Sequence, residues 1–204
     1  MDLSVHGRLT ALSYSLVRAS ALHTTPWSNG AGTTTRLWTA ADASWTLSIA
    51  VLDEDADFSV FPDHDRQLMA LGENPVGLLV DGTRHVLRHA DVLRFRGDAA
   101  ARGRTTGDGS RALNLMTLRE RASGSLDHHR MHGRTVLRPT RLTALVLLTG
   151  RLRLPDGTVC TRGDTVVLGD EPITVTADRA ALGRIRITRA PTNRTDRQRE
   201  RTIP

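Results

Sequence analysis

Lysine is missing altogether, since the 28 basic residues are all arginine. A phosphate-binding loop of the kind that needs a lysine at a set distance from its glycines is therefore excluded. The uniform use of arginine reads first as a bias of composition and only second as selection for guanidinium chemistry. A single cysteine, Cys160, rules out an intramolecular disulfide framework and a multi-cysteine zinc site, and it reads as a half-buried strand residue. Aromatic residues make up only 3% of the chain, so a core must be built mainly from Leu, Val, Ala and Thr. No apolar run reaches the length of a membrane-spanning helix, and the N-terminus lacks a charged region followed by an apolar stretch. Both absences predict a cytoplasmic protein with no membrane partner.

Charge and turn residues are abundant. The net charge is +6, but residues 189–201 hold five arginines against Asp196 and Glu200, so half of the excess belongs to a tail. Elsewhere the arginines are scattered and often alternate with apolar residues, as on a solvated strand face. A nucleic-acid surface would cluster them with aromatics or a docking motif, and no nucleic acid is expected as a partner. At 204 residues the chain is one large domain or two fused lobes, long enough to bury about 70% of its unfolded surface.

Short extended segments, rich in Thr, Val and Leu, occur at 45–52, 77–80, 91–95, 112–118, 142–148 and 165–168. Turn signals separate them, among them Asp81-Gly82, Pro155-Asp156-Gly157 and Arg162-Gly163-Asp164, which is the pattern of an all-β sandwich or barrel. Short helices are expected only near 99–102 and 177–182. A faint internal repeat relates 77–83 followed by 91–95 to 150–158 followed by 163–168, each a strand, a tight turn, a return strand and an acidic turn into another strand. Residues 99–110 are expected to form a surface loop and 122–134 the connection between two lobes. The polar, arginine-rich composition of 190–204 predicts a disordered tail.

Two segments concentrate residues with chemical potential. In the first, Pro26-Trp27-Ser28-Asn29-Gly30-Ala31-Gly32-Thr33-Thr34, Gly30 and Gly32 permit positive φ or close backbone approach, and Asn29 offers both a donor and an acceptor. The segment suits the presentation of amides to an anion, and equally a turn entering a Thr-rich strand. In the second, Phe58-Ser59-Val60-Phe61-Pro62 is followed by Asp65-Arg66.

Taken with Trp45-Thr46-Leu47-Ser48-Ile49-Ala50 and with Asn114-Leu115-Met116-Thr117 and Arg119, these segments resemble the HutD/Ves family of bicupins, in order and spacing, over roughly residues 14–120. The resemblance implies an all-β bicupin of the RmlC-like cupin superfamily, made of two double-stranded β-helix (jelly-roll) lobes. The body would span residues 1–189, with an N-terminal lobe at about 8–120 and a C-terminal lobe at about 135–189. It also implies a non-catalytic binding protein for a small acidic metabolite such as N-formylglutamate, modulating histidine utilisation or a related stress or nitrogen pathway, without a metal or other cofactor. The sequence departs from the family pattern at four places. Ala31 stands in its Gly-Gly-Gly, Arg36 at its acidic position, Thr46 where an arginine follows the strand-opening Trp, and Ala112 where an aspartate precedes the asparagine.

The expected ligand-binding residues are Trp27, Asn29, Gly30, Phe58, Phe61, Asp65, Arg66 and Asn114. Arg66 would pair bidentately with a carboxylate and Asp65 would orient it, although a surface salt bridge is the plainer role. Asn29 and Asn114 would recognise an amide or formyl group, or simply cap turns. Trp27, Phe58 and Phe61 would wall a pocket, or serve as core. Ser48 lies on a strand of undecided facing. The eight histidines lack the His-x-His and carboxylate spacing of a cupin metal centre, and no nucleophile set can be assembled from order alone. A metal-dependent cupin enzyme acting on a small organic acid is the alternative, and an apolar outer sheet face would support a homodimer.

Overall fold

Alternating Thr, Val and Leu residues form strands almost wherever they occur, and Gly- or Asp-containing turns close them. The structure, a computed structural model, describes residues 13–105, 109–139 and 143–190. The tail read from 190 onward lies, past its first residue, outside the described residues. In chain order the strands are β1 (Tyr14–Val17), β2 (Thr24–Pro26), β3 (Gly32–Thr39), β4 (Trp45–Leu52), β5 (Ala56–Asp57), β6 (His64–Leu71), β7 (Val76–Val80) and β8 (Thr83–Leu87). They continue with β9 (Val92–Arg96), β10 (Ala101–Arg104), β11 (Ser110–Leu118), β12 (Ala122–Leu137), β13 (Ala144–Arg153), β14 (Val159–Cys160), β15 (Thr165–Leu168) and β16 (Ile173–Arg189). One 3₁₀ turn, Ala19–Ala21, follows β1, and among the described residues no helix is long and apolar enough to cross a membrane.

The strands form three antiparallel sheets. The first has the order β2-β3-β4-β11-β6-β9, the second β5-β10-β7-β8, and the third β1-β15-β13-β16-β12, with β14 paired to β13. Strand alternation gives the first sheet two buried faces. Leu47, Ile49, Met69, Leu113 and Leu115 point toward the third sheet and meet Leu126, Val146, Leu148 and Ile185. Leu68, Ala70 and Ala112 point the other way and meet Val76, Leu78 and Val80 of the second sheet. The third sheet curls round a core of its own, including Leu145, Leu152, Val175 and Leu182, with register shifts in β13 between Leu147 and Arg151 where it bends. This is an all-β, cupin-like architecture, and its arrangement is consistent with two lobes.

Several local expectations differ from what is seen. Residues 99–102 and 177–182 are not helical, since they run into β10 and lie within β16. Both stretches gain more by completing sheets than their short helical patterns could supply. Residues 122–134 are not a connection but most of β12, paired along its length with β16. The first described strand, β1, pairs with β15 and so belongs to the third sheet rather than with the strands that follow it. Cys160 is fully buried rather than half-buried. Burial, followed by the charge of Asp164, pushes its thiol up to about 11, which leaves it inert.

The internal repeat is visible in the backbone. Asp81 and Gly82 both have positive φ, 45° and 79°, in the tight turn between β7 and β8, and Gly157 (86°) closes the matching turn after β13. Next, Ala90 (71°) and Gly163 (89°) each precede an aspartate. Asp91 accepts from the Arg88 amide at 2.8 Å, and Asp164 accepts from the Thr161 amide, also three residues back, at 2.9 Å.

Two polar contacts tie the parts together. Gln67 of β6 is buried, donates to the Gly124 carbonyl at 2.6 Å and accepts from the Leu126 amide at 2.9 Å, so one carboxamide satisfies two groups of β12. Replacing Gln67 with Leu strands a partly buried C=O and a buried N–H, and should cost about 2–4 kcal/mol in urea unfolding. Asp164 is likewise buried and also accepts from the Ala19 amide and the Arg18 guanidinium, both at 2.9 Å. Burial raises the Asp164 carboxyl, but these donors outweigh it and hold it below the ordinary carboxylate range. A depressed folded-state pKa stabilises above the unfolded value and is lost as pH falls through the folded one. Asp164→Asn should therefore cost about 2 kcal/mol at pH 7, and the gap between parent and variant should narrow in denaturation measured near pH 3.

Candidate ligand-binding site

The face of the first sheet that meets the second is apolar over Leu68, Ala70 and Ala112, then turns polar toward one end. Register shows how. One row across the sheet is Arg36, Ser48, Asn114 and Leu68, and the next is Thr46, Met116, Arg66 and Phe95. Above these rows lies a cavity of 220 Å³, closed by the turn between β2 and β3 and by the loop after β5.

Arg66 is the centre of the site. It is only 8% exposed, and its Nε and Nη2 donate to the Asn114 carboxamide oxygen at 3.3 and 3.1 Å. Its guanidinium carbon stands 4.5 Å from the Phe58 ring centroid and 5.4 Å from that of Phe95, so aromatic faces replace part of its lost hydration. Among the described residues no carboxylate lies within ion-pair distance of it. Burial alone pulls the guanidinium down to about 10, which leaves it charged at neutral pH.

The other walls come from separate segments. Trp27 packs edge-on to Phe58 with ring centroids 6.0 Å apart, and its indole N–H donates to Thr34 Oγ1 at 2.8 Å. Asn29, which lines the cavity, accepts the Ala31 amide at 3.1 Å and so folds the loop. The Phe58 and Phe61 amides donate to the Ala101 and Gly97 carbonyls, at 2.8 and 2.7 Å, and so fasten the covering loop to β10 of the second sheet and to the turn after β9 of the first.

Six of the expected residues, Trp27, Asn29, Phe58, Phe61, Arg66 and Asn114, thus line one cavity. Two do not. Gly30 holds the turn at φ 72° without reaching the wall. Asp65, adjacent to Arg66 on a strand, points to the opposite side and pairs with Arg119 at 3.1 Å, so it does not orient Arg66. Ser48, whose facing the sequence left undecided, does face the cavity, as does Arg36, which the sequence marked only as a departure from the family pattern. Thr46 shares that face without lining the cavity, so a guanidinium that the family pattern would put in the Arg66 row stands instead in the Asn114 row. Phe95 went unnoticed in the sequence, although alternation along β9 places it with Leu93 on the inner face.

The donor set of a cupin metal centre is not assembled. Among the described residues no three His, Cys, Asp or Glu side chains come together to hold an ion. His64 bonds the Pro62 carbonyl at 2.6 Å, and His128 stacks edge-on with His89 well away from the cavity.

Comparisons with known proteins agree with this architecture. Over 101 residues the chain is 38% identical to protein Ves of Cronobacter sakazakii, covering 47% of this chain and 55% of that one. Over 107 residues it is 31% identical to an uncharacterised protein of the hutC 3′ region of Pseudomonas putida, covering 50% and 56%. The chain thus spans about half the length of the curated relatives it matches. Among solved structures it is similar to HutD of Pseudomonas fluorescens, with a TM-score of 0.74 at 26% identity, covering 87% of this chain and 99% of that one. A cupin 2 conserved barrel domain protein of Leptotrichia buccalis shares the fold alone, with a TM-score of 0.57 at 10% identity over 86% of this chain and 96% of that one. The HutD family profile matches residues 19–184, which takes in the Arg66 cavity, the first and second sheets and most of the third, and the chain belongs to the HutD family.

Proposed function

We propose that this protein binds a small organic acid with one carboxylate against Arg66, and that it does so as a binding protein rather than as an enzyme. The observation that carries the reading is a charged guanidinium held in an apolar and aromatic setting whose hydrogen-bond partner, among the described residues, is a neutral carboxamide. Burying a cation without its counter-charge is costly, and an anionic ligand removes that cost while gaining paired, charge-assisted hydrogen bonds. The 220 Å³ cavity suits a metabolite the size of N-formylglutamate. Asn29 and Asn114 supply carboxamides for a formyl or amide group, and Arg36 supplies a second positive charge for a second carboxylate. The described lining includes no histidine or cysteine, and its carboxylate, Asp57, pairs with Arg102 at 3.4 Å, which favours binding over turnover. The Pseudomonas putida relative takes its name from the hutC region. That name and the HutD family match support a role in histidine utilisation, with N-formylglutamate as the first candidate.

Thermal denaturation of chelator-treated protein with N-formylglutamate, and with glutamate, urocanate and histidine as comparators, tests the reading. A ligand at a hundredfold excess over its dissociation constant adds about 2.7 kcal/mol, so N-formylglutamate should raise Tm selectively and saturably. Arg66→Met keeps the volume and removes the unpaired charge. Its ligand-free Tm should be unchanged or higher, and its response to N-formylglutamate should vanish. A response equal to the parent's would remove Arg66 from the site.

A further inference from the structure

A second cavity, 940 Å³ in volume, opens on the opposite face of the first sheet, between it and the third. Its floor is Leu37 of β3, Ile49 of β4 and Leu71 of β6, and Leu148 of β13 faces them. At one end stand Arg111 of β11, whose register partners Val51 and Leu71 are apolar, and Arg162 of the turn before β15.

The pairing of the arginines singles out this place. Of the described arginines that are not exposed, Arg18, Arg119, Arg184 and Arg186 each touch an aspartate, at 2.9, 3.1, 2.9 and 3.2 Å. Arg66 and Arg111 do not, and each of these two lines a cavity. Among the described residues neither Arg111 nor Arg162 makes a side-chain hydrogen bond or ion pair. Burial, and after it the charge of Arg162, which lines the same cavity, pulls the Arg111 guanidinium down. Glu73, on the exposed edge of the cavity, pairs with neither. Two guanidiniums that line one cavity and are left uncompensated beside its apolar floor are complementary to an anion that carries an apolar body.

We propose that this cavity is a second binding site, for an amphiphilic carboxylate whose head lies between Arg111 and Arg162 and whose apolar body lies along Leu37, Ile49, Leu71 and Leu148. It is independent of the Arg66 site, being on the other face of the sheet.

Octanoate is the probe, titrated calorimetrically into the parent protein and into Arg66→Met, Arg111→Gln and Arg162→Gln, with octanol as the uncharged comparator. The parent and Arg66→Met should bind octanoate alike and saturably. Arg111→Gln and Arg162→Gln should each bind it about tenfold more weakly or worse, the worth of a charge-assisted hydrogen bond. Arg162 lies on an exposed turn, so its variant reports even if Arg111→Gln proves poorly folded. Any of four results overturns the proposal: no saturable binding of octanoate, unchanged affinity in Arg162→Gln, loss of binding in Arg66→Met, or octanol binding as tightly as octanoate.

Discussion

A sheet covered on both faces leaves few places where a polar side chain can be tolerated, and this constraint governs the molecule. The first sheet meets the second on one side and the third on the other. Every polar group that its central strands bury must therefore find a partner inside the protein or in a ligand. Gln67 solves the problem structurally, by pairing with both hydrogen-bonding groups that β12 offers. Arg66, its neighbour in sequence, points to the other face and is only half satisfied by Asn114. One strand thus carries a lock on one side and a binding group on the other.

The packing of the third sheet against the first depends on small residues as well as on large ones. A Cβ at Gly183 of β16 would fall inside the contact distance of Leu113 Cδ2, and one at Gly124 of β12 would crowd Leu115 and Thr117. Absence of side chains at these two points lets the apolar layer between the sheets close. The same economy explains the scarcity of aromatics in that layer. Apart from Trp45 and the partly buried Trp38, stacked with centroids 6.3 Å apart, it is made of Leu, Ile, Val, Ala and Met.

The doubled hairpin shows how one local solution serves two purposes. Asp91 and Asp164 sit in matching turns with matching bonds to the amide three residues back. Asp91 is exposed, whereas Asp164 is covered by the segment after β1, and the same carboxylate then also collects Ala19 and Arg18. The turn comes from the local sequence in both cases. Its burial comes from a strand more than a hundred residues away.

That contrast separates what could be read in the chain from what could not. The all-β class, the turns at Asp81-Gly82 and Pro155-Asp156-Gly157 and the hairpin repeat were legible, because turn chemistry and period-two alternation act over a few residues. Six of the residues that line the Arg66 cavity were legible too, five because they fall in two unusual segments and Asn114 through the family resemblance. Asp65 was misread although alternation alone sets it opposite Arg66. The short stretches at 99–102 and 177–182 were misread because local pattern yields to sheet pairing. Phe95 was overlooked although alternation along β9 marks its face, whereas Arg36 and the pair of Arg111 with Arg162 became intelligible only in three dimensions. Which side chains share a row depends on the register of strands distant in sequence, and which arginine lacks a counter-charge depends on every carboxylate that the fold brings near or keeps away.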